Sequence, residues 1–325
     1  MSEQFLIDQL DEAIDAIIAG GNVNVFAPAD QALTDLASLA GELRLLPRES
    51  FKTQLKESLR RSKEMTTQGS KAKKSRASYQ TIIPYLTVKR AEQLVEFVKQ
   101  VFGGVEVLRT TGSAGGLHAE VTIGDSRLMI GGYESVEEKL TALHLYVPDA
   151  DAVYQRALEA GATSLEEPVD QAYGDREAGV KDTSGNVWWI ATHKLGPAGT
   201  YIPEGLRPVT PFLHPIGAPA LIEFMKKAFD AEEISRHQSP EGVIHHATVR
   251  IGDSMIEMGE AHGEAMPMPP ALFMNVDNLE ESYQRALSAG ATSLQAPTDQ
   301  DYGRTAWLKD AWDNIWYLAA PPQKG

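Results

Sequence analysis

The chain has 325 residues, room for two or three ordinary domains, and its 42% hydrophobic and 23% charged content is that of a globular protein. A net charge of −15 gives no general electrostatic support for nucleic-acid binding. No run approaches the roughly 20 apolar residues of a membrane span. The absence of cysteine excludes disulfides, thiolate metal sites and a cysteine nucleophile, and it fits a cytoplasmic protein.

In chain order, residues 1–62 read as a helical region. The acidic, amphipathic start MSEQFLIDQLDEAID is no signal peptide. Ile7, Leu10, Ile14, Ile17 and Ile18 mark one amphipathic helix, and Leu33, Leu36, Ala40 and Leu43 a second. A third begins at Leu46-Pro47 and carries Lys52, Lys56, Arg60 and Arg61. Residues 63–78 are polar and basic, with Lys71, Lys73, Lys74 and Arg76, and read as a linker or as a docking patch for an acidic partner. Nothing in the helical region looks catalytic; it reads as a docking or dimerisation module for an unknown partner.

The next elements follow from periodicity. Thr81 to Val88 is a strand with Ile82, Leu86 and Val88 toward a core and Ile83, Tyr85 and Thr87 opposite. Leu94, Phe97, Val98, Val101 and Phe102 recur at helical spacing, and Gly103-Gly104 stops that helix. Ala119, Val121 and Ile123 alternate as a strand, Gly124-Asp125-Ser126 turns, and Leu128 to Ile130 returns. Leu143, Leu145 and Val147 form another strand, and a helix runs from about Asp151 to Ala160. Strands near Glu177 to Asp182 and Val187 to Ala191 follow.

This series then repeats. PYLTVKRAEQLVEFVKQVFGGVEVLR from Pro84 returns as PFLHPIGAPALIEFMKKAFDAEEISR from Pro211, and YQRALEAGATSL from Tyr154 as YQRALSAGATSL from Tyr283. His118-Ala119 with IGDS returns as His246-Ala247 with IGDS, and Tyr173-Gly174 as Tyr302-Gly303. The repeat is a whole duplicated domain. It divides the chain into 79–196, a linker at 197–206, and 207–322. Each copy reads as β-α-β-β-β twice, an α+β arrangement that predicts two small sheets per copy curved around a shared cleft.

Alternation places polar groups on the face opposite the core. In the first copy these are Tyr85, His118, Glu120, His144 and Tyr146; in the second, Phe212, His246, Thr248, Phe273 and Asn275, with His214 and Glu257 near them. The histidines admit three readings: hydrogen-bonded sheet residues at a cleft wall, a polar metal-free ligand pocket, or a His/Glu metal site. His118 and Glu120, two residues apart, are candidates for a base and its orienting carboxylate. Arg176 offers a planar fork for carboxylate or phosphonate, or else pairs locally with Asp175 or Asp182, and Arg304 repeats its role. Trp188 and Trp316 alternate toward the core.

The order and spacing of PYLTV, HAEVTIGDSRLMI, LYVPDADAVYQRALEAGA and YGDREAGVKDTSGNVWWIATH resemble PhnB-like members of the vicinal-oxygen-chelate superfamily, which includes glyoxalases, bleomycin-resistance proteins and dioxygenases. The second copy keeps HATVRIGDSMIEM and NVDNLEESYQRALSAGA, with a worn ending where Gly185 has become Asp313. The resemblance implies two tandem domains, each of paired βαβββ modules forming a curved sheet around a cleft. It also implies four metal-ligand positions per domain: Ile83, Met129, Ala142 and Trp189 in the first copy, and Thr210, Glu257, Ala271 and Tyr317 in the second. Only Glu257 among them suits a hard divalent ion, so no metal or other cofactor is expected. Trp189 and Tyr317 would present stacking surfaces there.

The favoured expectation is therefore a metal-independent binder of a small molecule, anionic or aromatic. The alternatives are a metal-dependent lyase, isomerase or dioxygenase with unusual ligands, and a regulatory or scaffolding protein acting through the N-terminal helices. Expected ligand-binding residues are Tyr85, His118, Glu120, His144, Tyr146, Tyr173, Arg176, Trp189, His246, Glu257, Arg304 and Tyr317. No nucleic-acid or membrane partner is expected. The tandem copies suggest either a monomer with intramolecular domain pairing or a homodimer. The first cleft, with its intact YGDR loop, is expected to carry binding.

Overall fold

A computed structural model describes residues 80–112, 115–197, 199–262, 266–300 and 303–320. The helical region expected at 1–62 and the linker expected at 63–78 lie outside the described residues. In the first copy β1 (Ile82–Thr87), α1 (Ala91–Phe102), β2 (Val105–Thr111), β3 (Leu117–Ile123) and β4 (Ser126–Gly132) form one βαβββ module. Its second module is β5 (Ala142–Tyr146), α2 (Ala150–Glu159), β6 (Thr163–Asp170), β7 (Asp175–Lys181) and β8 (Val187–His193). The second copy repeats both. Its first module is β9 (Val209–Leu213), α3 (Ala218–Phe229), β10 (Glu232–Gln238), β11 (Ile244–Ile251) and β12 (Ser254–Met258). Its second is β13 (Ala271–Asn275), α4 (Leu279–Ser288), β14 (Thr292–Gln300), β15 (Gly303–Lys309) and β16 (Ile315–Ala320). No described helix is long and apolar enough to cross a membrane.

Local chemistry sets the helix ends. Gly103 closes α1 in the left-handed region, with φ +67° and its N–H on Val98 O, where a side chain would be strained. The Asp149 carboxylate accepts from Ala152 N at 3.0 Å to cap α2, and Asn278 does the same for α4. The changed ending of the second copy keeps its geometry. Asp313 takes φ +64° where Gly185 has φ +99°. Asp310 accepts from the Trp316 indole and the Asn314 amide at 2.9 Å, as Asp182 does from Trp188 and Asn186. Both tryptophans are fully buried.

The sheets are not arranged copy by copy. One eight-stranded sheet runs β14-β15-β16-β13-β1-β4-β3-β2, and the other β10-β11-β12-β9-β5-β8-β7-β6. Each therefore joins the first module of one copy to the second module of the other, through the antiparallel seams β1·β13 and β5·β9. This corrects the expectation that one copy encloses its own cleft. The physical reason is that β1 and β5 each have a backbone edge left to pair, and the equivalent strand of the other copy satisfies it. The hydrophobic cores follow the copies except at the seams, where Ile82 packs in the second core and Val209 in the first. Leu86, Phe97, Leu145, Tyr154 and Trp188 pack together in the first, and Leu213, Phe224, Leu272, Tyr283 and Trp316 in the second. Helices cover one face of each sheet and the clefts lie on the other.

The repeated IGDS turns tie the copies together. Ser126 Oγ accepts from Val209 N at 3.0 Å, and Ser254 Oγ from Ile82 N at 3.0 Å, so each serine caps the first strand of the opposite copy. Arg207 bridges Asp125 and Asp253 across the same junction.

Candidate functional site

Because the sheets are shared, residues expected in one cleft are divided between two. Tyr85, His118 and Glu120 lie with Phe273, Asn275 and Tyr317 on one sheet; His144, Tyr146 and Trp189 lie with Phe212, His246 and Glu257 on the other, with Tyr173 in the turn between β6 and β7. His118 and Glu120 thus never share a cleft with His144 and Trp189.

The first cleft is mainly apolar, with one buried ion pair, Glu120–Arg127. Ile83, Met129, Phe273 and Ala319 form a buried cluster flanked by Tyr85 and Tyr317, whose rings meet edge to face at 5.3 Å. His118 Nδ1 lies 3.0 Å from Tyr85 Oη, and Glu120 is held by Arg127, so both groups have partners besides each other. Burial pushes the His118 pKa down and favours the neutral ring.

The second cleft is charged. His144, 6% exposed, lies with Nδ1 3.0 Å from Glu257 Oε2 and Nε2 3.1 Å from Glu177 Oε2. The second contact is off the line a hydrogen bond needs, so Nε2 is a buried polar atom without a hydrogen-bond partner. His246 extends the chain, with Nε2 3.2 Å from Glu257 Oε1. Beside it Asp175 accepts from Tyr146 Oη at 3.3 Å and lies 2.5 Å from His193 Nδ1, while Tyr173 donates to Glu177 at 3.2 Å. Burial opposes a charge on His144, but Glu257 and Glu177 outweigh it and raise its pKa; burial likewise works against the Glu257 carboxylate, yet His144 holds it well below the usual range. Burial, with Glu257 and Asp175, raises the Tyr146 pKa and keeps the phenol protonated.

Two expected site residues point elsewhere. Asp175 and Glu177 face the cleft, so Arg176 alternates to the helix-covered side, where its fork holds Asp151 at 2.5 and 2.6 Å and also meets Asp170. Arg304 repeats this with Glu280 and Asp299. These partners are neither Asp175 nor Asp182, and the forks brace helix to strand. Sequence reasoning passed over Glu177, Asp175 and His193; the period-2 alternation that placed His144 and Tyr146 would have found all three. A shallow hollow of about 330 Å³ between α3 and α4, lined by Lys227, Glu281, Gln284 and Arg285, shares no residue with either cleft.

The ligand positions that the resemblance implies are also regrouped by the shared sheets. One cleft receives Ile83, Met129, Ala271 and Tyr317, and the other Thr210, Glu257, Ala142 and Trp189. Neither set fits a divalent ion. Trp189 lies over Gly179, where a Cβ would meet the indole ring at 2.6 Å, so this glycine makes room for the aromatic side chain.

The family model for the Glyoxalase/Bleomycin resistance protein/Dioxygenase superfamily matches residues 80–190 and 217–318. An uncharacterized protein of Mycobacterium bovis is 36% identical over 118 residues, covering 32% of this chain and 78% of that protein, and one of Mycobacterium tuberculosis is 36% identical with 69% covered. Glyoxalase I from Zea mays superposes with a TM-score of 0.56 at 13% identity, over 74% of this chain and 92% of the other. A putative dioxygenase from Bacillus subtilis gives 0.51 at 13% identity, over 75% and 86%. At such identities these structures support the fold alone.

Proposed function

Since the chain belongs to the Glyoxalase/Bleomycin resistance protein/Dioxygenase superfamily, we propose that its charged cleft binds a small molecule and that its apolar cleft serves as scaffold. One observation carries this reading. At matching backbone positions His144, Glu177 and Glu257 are replaced in the apolar cleft by Phe273, Thr305 and Met129. The fold therefore does not need the charges, and burying each costs several kcal/mol before pairing offsets it. Charged groups kept at such a cost inside a cleft are candidates for function. Phe212, Tyr146 and Trp189 beside them supply aromatic surface, and the half-exposed His246 forms the entrance.

The test is a thermal-shift screen of the full chain with aromatic amines and aromatic carboxylates. Compounds that raise the unfolding temperature should lose their effect in His144→Phe/Glu177→Thr/Glu257→Met and keep it in Glu120→Gln. Hits unaffected by the triple substitution would place binding outside this cleft. A second reading, a metal-dependent lyase, isomerase or dioxygenase, is favoured by the same His144–Glu177 pair.

A further inference from the structure

We propose that the charged cleft is a divalent-cation site, with His144, Asp175 and Glu177 as ligands and Glu257 orienting the imidazole. The inference rests on the reading of this cleft as the functional one. It differs from the positions implied by the family resemblance, since it draws on β5 and β7, and Ala142 and Trp189 occupy two of those positions.

Geometry is the first support. One ligand atom from each of His144, Asp175 and Glu177 lies within 4.8 Å of the others, near the about 3–4 Å separation of atoms bound to one ion at about 2.0–2.2 Å. The second support is the imidazole itself. Its Nδ1–H donates to Glu257 at 3.0 Å, which leaves Nε2 to take a ligand in exchange for its proton. Nε2 is buried, faces Glu177 at 3.1 Å, and has no aligned hydrogen bond. In the metal-free site the proton on Nε2 faces this carboxylate, and a divalent ion would displace it. A carboxylate on the distal nitrogen is also the arrangement that fixes a metal-ligating histidine.

The surroundings complete the set. Tyr173 donates to Glu177 and Tyr146 to Asp175, while His193 braces Asp175 from its other side. One nitrogen and two oxygens suit a first-row ion such as Zn²⁺, Mn²⁺ or Fe²⁺ and leave positions open for an oxygen-bearing ligand. The apolar cleft, with Phe273, Gly303 and Thr305 in place of the three ligands, provides an internal control.

The experiment uses the full chain, stripped with a chelator, titrated with Zn²⁺ or Co²⁺ and desalted. Elemental analysis reads ions per chain, and Co²⁺ absorption reads the coordination. One ion per chain is expected. Glu177→Gln and Asp175→Asn should each weaken binding at least about 10-fold, and Glu257→Gln about 10–100-fold. The triple variant should unfold cooperatively and hold no ion. No retained ion in the parent, or equal retention by the triple variant, overturns the site. If the parent holds no ion but the triple variant loses the small-molecule thermal shifts, the cation site falls and the binding cleft stands; if neither effect appears, both fall.

Discussion

His144 and Phe273 hold the same backbone position in the two copies, so the molecule contains its own substitution experiment. His144→Phe alone leaves Glu257 and Glu177 buried without their cation, and denaturant titration should show a loss of about 3 kcal/mol or more. Adding Glu177→Thr and Glu257→Met copies the apolar cleft and should recover most of that loss. A triple variant less stable than the single one would show that the cleft's charges are structural. A separate residue, His214, sets a pH dependence. It packs on Phe212 with a buried Nδ1 that has no hydrogen-bond partner; burial, with His262 nearby, lowers its pKa from 6.5 to about 4. The unfolded chain therefore binds the extra proton between those values, and stability present above pH 6.5 declines as pH falls toward 4. Relative to His214→Gln, the parent should lose on the order of 2 kcal/mol over that range. Parallel pH profiles for the two proteins would exclude this role.

Among elements, those with a buried face could be read from the sequence. The stripe Leu94, Phe97, Val98, Val101 reports α1, because a helix on a sheet must bury one side. The strands β2 and β10 gave no such signal: they are edge strands, mostly exposed on both faces, and carry no alternation to detect. The role of the IGDS turn was equally hidden, since nothing local says that its serine reaches the other copy. Ser254→Ala leaves the buried Ile82 N–H unpaired and should cost about 1–3 kcal/mol in chemical denaturation. Ser126→Ala should match it through Val209. An effect near zero at both positions would make the turns mere connections.

For the whole molecule, the sequence disclosed the duplication but not the exchange of sheet halves. The faces of β1 and β5 look alike whichever strand they pair with, so periodicity assigns a residue to a face and not to a partner. Alternation therefore groups Tyr85 with His144 and leaves Glu257 a lone carboxylate. The exchange predicts the behaviour of a single copy. Residues 79–196 contain nearly all of the first core but leave one edge of β1 and one edge of β5 unpaired. In light scattering this fragment should be a dimer that re-forms both seams; a stable monomer would show that the seams are dispensable.

The charged sheet has one more property: its strands, β5 to β12, are consecutive in the chain, whereas the apolar sheet joins the two ends. During synthesis, everything needed for the charged cleft and the first core has been made once Met258 has emerged. β1 must wait for β13, with Ile82 meeting Met274 only after nearly the whole repeat pair exists. Closing that longer loop costs more chain entropy and takes longer. The order of assembly thus favours the charged cleft, and the apolar sheet closes after it.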